Sequence, residues 1–112
     1  MVYTDGELEA LLSGIESDLV ECKESWRGEA PDSGRQAVCA FANDLPGHQR
    51  AGVLFVGAKD DGTPSGLSVT DELLCTLSDI RTDGNILPPP SIVVEKRMLK
   101  GGEMAVVTVQ PS

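Results

Sequence analysis

The sequence is short of several things from which chemistry is commonly built. Histidine occurs once, at His48. Cysteine occurs three times, at Cys22, Cys39 and Cys75, with no Cys-x-x-Cys pair. Zinc needs closely spaced ligands and a disulfide framework draws on an even number, so free, buried thiols in a reducing compartment are expected. Aromatic residues make up 4% of the chain (Tyr3, Trp26, Phe41 and Phe55), too few for the stacking platforms on which single-strand binders lay successive bases. Basic residues are outnumbered, 9 Lys and Arg against 18 Asp and Glu, for a net charge of -9. Attraction of the whole molecule to a polyanion is thereby excluded, and nucleic acid can be met only by a local basic patch. No apolar run approaches the roughly 20 residues of a membrane span. The opening Met-Val-Tyr-Thr-Asp lacks the basic start and apolar stretch of a secretory signal. A cytoplasmic location without a membrane partner is expected.

What is present is the material of one globular domain over residues 1–112: 40% hydrophobic and 24% charged residues. Leu8, Leu11 and Leu12 recur at helical spacing and predict a helix over 5–13, with Asp5 and Glu7 at its start and Gly14 as its stop. Residues 19–23 read as a strand, with Val20 and Cys22 on one face and Glu21 and Lys23 on the other. A polar loop is predicted over 24–34. Ser33 and Gln36 match a capping box that opens a helix over 36–44, striped by Ala37, Val38 and Phe41. Gly52 to Gly57 is an unbroken apolar run, too short for a buried helix, and is predicted to be a central strand. Thr70 caps a helix over 71–81, with Val69 placed to staple to Leu74. Two strands, 92–99 and 103–110, flank Lys100-Gly101-Gly102, a hairpin signal. The order is an extra N-terminal helix followed by βαβαββ. The fold class is therefore α+β (α/β), a two-layer sandwich on a mixed sheet, with the first two strands parallel across their helical crossover.

Three blocks of this sequence resemble the Schlafen-type AlbA domain family. Glu16-Ser17-Asp18-Leu19-Val20-Glu21-Cys22-Lys23 is similar to its opening Glu-Ser-x-x-x-Glu-Phe-Lys signature. Ala40-Phe41-Ala42-Asn43 matches its Ala-Phe-Ala-Asn. Gly52 to Gly62, followed by Gly66-Leu67, resembles its Gly-x-Leu-x-x-Gly-Val-x-Asp-x-Gly…Gly-Leu block. The resemblance runs over about residues 7–110. It implies an Alba-like βαβαββ fold and a DNA-binding role in bacterial proteins described as transcriptional regulators or divergent AAA proteins. Members commonly continue into an arginine-rich strand, so the chain is expected to be a piece of a longer protein. Gly62-Thr63-Pro64-Ser65-Gly66 lacks the Gly-Lys-[Ser/Thr] of a phosphate loop, and no ATP site is expected.

Within the wider Schlafen group the resemblance also implies ribonucleases that cut structured RNA at a carboxylate cluster. Glu16 and Glu21 keep the spacing of its two glutamates, and Asp60 lies beside the third carboxylate position, which Lys59 occupies here. Glu16, Glu21 and Asp60 would hold Mg²⁺ or Mn²⁺ for phosphodiester cleavage. Five residues along a strand set Glu16 and Glu21 on opposite faces, so the cluster needs a bend near Ser17-Asp18. Lys59 weighs against it. Lys23, Arg27, Arg35 and Lys59 are the candidate phosphate contacts for DNA or RNA; ion pairing of Lys23 to nearby glutamates is the competing role. A third reading is a homodimer or interaction module. It follows if both predicted helices lie on one sheet face and the other face needs a partner or a further segment to cover it.

Overall fold

The computed structural model describes residues 3–13, 19–43, 51–82 and 91–110. The elements run α1 (Asp5–Ser13), β1 (Val20–Lys23), α2 (Ala30–Asn43), β2 (Gly52–Val56), α3 (Asp71–Ser78), a 3₁₀ turn (Asp79–Thr82), β3 (Ser91–Leu99) and β4 (Gly102–Gln110). The strands form one mixed sheet in the order β1-β2-β4-β3. β1 pairs with β2 in parallel, and β4 runs antiparallel to both β2 and β3. This is the α+β two-layer arrangement that the periodicities predict, and β2 lies inside the sheet.

Alternation along the strands sends side chains to two separate cores. Leu54 and Val56 of β2, with Ala105, Val107 and Val109 of β4, pack under Val38, Phe41 and Ala42 of α2 and Leu77 of α3. Val53 and Phe55, with Met104 and Val106, face the other way and meet Tyr3, Leu8 and Leu12. All five residues of β2 are therefore buried, which explains its unbroken apolar run. The second sheet face is therefore not bare: α1 and Tyr3 lie on it. That corrects the reading in which this face is left bare. Its motive was two helices on one side, and the N-terminal helix supplies the other side.

α1 is started by a reciprocal cap. The Thr4 N–H donates to Glu7 Oε1 at 2.9 Å, and the Glu7 N–H donates to Thr4 Oγ1 at 3.2 Å. Its far side is fastened to the β3–β4 hairpin. Arg97 contacts Asp5 at 2.6 Å and Glu95 at 3.0 Å, and the Lys100 backbone N–H donates to Glu9 Oε2 at 2.9 Å. Lys100 and Gly101 both have positive φ, 52° and 84°, the signature of a type I′ hairpin turn. Tyr3 reaches across the sheet, its hydroxyl donating to the Ala51 carbonyl at 2.9 Å.

α2 departs from expectation. It begins at Ala30 rather than after Ser33, and the predicted loop is correspondingly shorter. Pro31 sits in its first turn, where a missing N–H costs nothing. Ser33 is inside the helix, its N–H donating to the Glu29 carbonyl at 3.1 Å. Gly34 is tolerated there because ring carbons Cη2 and Cζ3 of Trp26 occupy the space where its Cβ would stand. α3 is capped as predicted, Thr70 Oγ1 accepting from the Leu73 N–H at 3.1 Å. It ends at Ser78 and passes into the 3₁₀ turn.

Candidate nucleic-acid interface

Parallel β1 and β2 finish at the same end of the sheet. Their ends are bound together there. The N–H groups of Gly57 and Ala58 both donate to the Lys23 carbonyl, at 2.7 and 3.1 Å. Ser65 Oγ, in the loop after β2, donates to the Glu24 carbonyl, in the loop after β1, at 2.7 Å. The segments carrying Arg27 and Lys59 are thus joined by hydrogen bonds, and α2 with Arg35 rises from the same end.

The four candidate cations differ in how they are engaged. Lys23 is largely committed: its Nζ donates to Ser33 Oγ at 2.8 Å and lies 3.9 Å from Glu21 Oε2. Arg35 stands 3.6 Å from Asp32 one turn back along α2, a surface pair of small energetic weight. Arg27 and Lys59 are exposed, and neither side chain has an ion pair or hydrogen bond among the described residues. The Lys59 charge is felt by Asp61. That carboxyl is held below its ordinary range first by the hydroxyl and N–H of Thr63 and, to a lesser degree, by the Lys59 ammonium.

The carboxylates named by the sequence do not assemble among the described residues. Glu16 lies outside them. Glu21 projects on the α2 side of β1, beside Lys23. Asp60 and Asp61 are exposed in the turn after β2. There the backbone of Gly62 presses on the Leu12 carbonyl at the end of α1, where a Cβ would not fit. Their charge reaches Cys22, on the opposite face of β1 from Glu21. Burial pushes that thiol up to about 11, with Glu21, Asp60 and Asp61 adding to the shift. Among the described residues no group of three or more His, Cys, Asp or Glu is arranged to hold a metal ion.

Sequence reasoning left one feature of this end unassigned. A groove of about 340 Å³ opens between the β1–α2 loop and the start of α3, lined by Trp26, Leu67 and Leu73 and by Arg27, Ser68 and Glu72. Trp26 is half-buried, its outer ring edge set on Gly34. A tryptophan in a polar loop can pack back on the core or meet a partner; here the indole packs against a glycine of the next helix.

No helix among the described residues is long and apolar enough to cross a membrane. Among curated proteins, none matches the chain. Among solved structures, the N-terminal domain of a RecG-related protein from Nitrosomonas europaea is similar in fold. It has a TM-score of 0.63 and 24% sequence identity, with 99% of this chain and 75% of that one covered. The family model described as Schlafen, AlbA_2 matches residues 16–112, which takes in β1, both sandwich helices and the last three strands. The chain belongs to the Schlafen, AlbA_2 family.

Proposed function

We propose that this is a nucleic-acid-binding domain, with DNA as its first substrate, and that it meets phosphates at the end of the sheet where β1 and β2 finish. The observation that carries the reading is the pair Arg27 and Lys59. Both are exposed and unpaired among the described residues, on two loops that the Ser65–Glu24 hydrogen bond ties together. Arg35, half-buried in the second turn of α2, extends the same surface. Lys23 supports it from beneath through Ser33. Family membership, and a structural relative named for a DNA helicase, support association with nucleic acid.

A chain of net charge -9 gains nothing from its overall field, so affinity must come from these few contacts and must fall steeply with salt. The test is a titration of the protein against duplex DNA, single-stranded DNA and structured RNA over a salt series. Changing Arg27, Arg35 and Lys59 together to alanine is expected to weaken binding for all sequences. It should also flatten the salt dependence by roughly one unit of log–log slope per lost contact. Affinity and slope unchanged in that variant would overturn the proposal.

A further inference from the structure

We propose that the groove beside Trp26 holds a single unpaired nucleobase, stacked on the indole, with Arg27 on the adjoining phosphate and Glu72 reading the edge of the base. The inference rests on the nucleic-acid reading above and deepens it, because it names single-stranded substrate as the preferred class.

The groove, about 340 Å³, is at the small end of the roughly 300–1,000 Å³ typical of ligand sites, a size for one base with its sugar rather than a run of bases. Trp26 is the only tryptophan of the chain, and it is pre-positioned. Its Cη2 and Cζ3 edge is seated where Gly34 leaves no side chain, so little ordering cost falls on a base that stacks against it. One fixed aromatic ring makes one stacking subsite, consistent with an aromatic content too low for a platform. A base inside a duplex is already stacked on its neighbours and cannot enter, which restricts the ligand to a loop, bulge, end or single strand.

The polar groups of the groove divide the ligand. Arg27 follows Trp26 directly and its guanidinium has no partner among the described residues, which leaves it available to the phosphate next to a stacked base. Two hydroxyls are already used inside the protein: Thr70 caps α3, and Thr76 Oγ1 donates to the Glu72 carbonyl at 2.9 Å. The Ser25 and Ser68 hydroxyls and the Glu72 carboxylate remain, and of these only Glu72 carries charge. It repels phosphate and accepts from an exocyclic amine, so cytosine, which offers its N4 amino group, is favoured over thymine, which offers none.

The test uses the chain as it is, since Trp26 emission reports on the site alone. Short oligo(dC), oligo(dT) and a blunt duplex are titrated while Trp26 fluorescence and the anisotropy of a labelled oligonucleotide are followed together. Oligo(dC) is expected to quench Trp26 and to bind several-fold more tightly than oligo(dT), and the duplex is expected to leave the emission unchanged. Trp26→Leu keeps an apolar contact on Gly34 but no stacking face, and should lose roughly tenfold or more in oligo(dC) affinity. Glu72→Gln is exposed and leaves packing intact; it should bring oligo(dC) and oligo(dT) to equal affinity. Oligonucleotide binding without Trp26 quenching, and undiminished in Trp26→Leu and Glu72→Gln, overturns this inference while the phosphate surface stands. Failure of every nucleic acid to bind overturns both.

Discussion

The ammonium of Lys23 donates to the hydroxyl of Ser33 at 2.8 Å, joining the last residue of β1 to the first turn of α2 ten positions along the chain. The contact crosses the loop that carries Trp26 and Arg27, and the Lys23 side chain is only 21% exposed. Lys23 therefore holds the shape of the interface more than it offers charge to solvent. Lys23→Met, which keeps the apolar stem, is expected to destabilise the fold by about 1.5–3 kcal/mol, the range for a hydrogen bond involving a charged group. A urea midpoint measurement checks it. The same variant should reduce nucleic-acid affinity less than Arg27→Ala does.

Gly34 and Trp26 form a pair whose coupling is measurable. Gly→Ala within a helix ordinarily gains about 1 kcal/mol. Here the added Cβ would overlap the indole, and overpacking costs about 1–3 kcal/mol. Gly34→Ala is expected to destabilise and to move Trp26 emission to longer wavelength. In a Trp26→Ala background the same change should turn stabilising. A double-mutant cycle in thermal unfolding gives the coupling directly; additivity would show that the two side chains do not compete for the space.

The strands were legible in the sequence because burial on one or both faces leaves a period that can be counted. Gly52–Val56 reads as central since both of its faces are apolar, and β3 and β4 are bracketed by a turn of recognisable composition. α3 was legible because Thr70 and Val69 stand at the positions a cap and staple require. What was missed is long-range. The start of α2 depends on Trp26 filling the gap at Gly34, and on Ser33 serving Lys23 as an acceptor rather than capping a helix. Neither partner is within reach of a local pattern. The role of α1 as cover for the second face likewise depends on Arg97 and Lys100, some ninety residues on, which clasp it. One local signal was available and unused: Thr4 followed three residues later by Glu7. At the candidate site, residue identity marked the basic groups, but only packing distinguishes committed Lys23 from unengaged Arg27.

Thr108 lies in the middle of β4, 1% exposed, between Val53 and Val93 in the sheet. Among the described residues its hydroxyl oxygen has no hydrogen-bond partner. A buried polar atom without a partner costs about 1–3 kcal/mol relative to a satisfied one. Valine has nearly the same shape and no such atom. Thr108→Val is expected to raise stability by about 1 kcal/mol with no change in fold, seen as a higher thermal midpoint. A fall would reveal that the hydroxyl is satisfied in solution.

The thiol of Cys22 gives the fold an alkaline limit. Burial first, then Glu21, Asp60 and Asp61, raises it to about 11. A raised pKa means that the folded state holds this proton more tightly than the unfolded chain does. Its contribution to stability is therefore complete below the ordinary thiol range and is lost as pH rises from that range through about 11. Denaturant midpoints measured from pH 8 to pH 11 should fall more steeply for the parent than for Cys22→Ala. Against the expectation of buried thiols, Cys75 is exposed and Cys22 and Cys39 only partly buried, so at neutral pH an alkylating reagent should modify Cys75 well before Cys22. Equal rates at the two sites would contradict the burial argument.

The last expectation concerns cleavage. A two-metal site requires carboxylates converging on ions about 4 Å apart. Glu21 leaves β1 on the α2 side with the Lys23 ammonium 3.9 Å away, already a cation beside it. Asp60 is exposed in the turn after β2, whose Gly62 lies against the end of α1. Lys59 occupies the position at which the family resemblance puts an aspartate, and its charge bears on Asp61, whose carboxylate is further tied to Thr63. A divalent ion approaching this end would meet two ammonium groups, so electrostatics disfavour it, and among the described residues no three His, Cys, Asp or Glu are arranged to hold it. Mg²⁺ and Mn²⁺ are therefore expected to leave the thermal midpoint unchanged. Structured RNA incubated with the protein and Mn²⁺ should remain intact, even where it binds. Cleavage that disappears in both Glu21→Ala and Asp60→Ala would overturn this expectation, since it would require those two side chains to act on one ion.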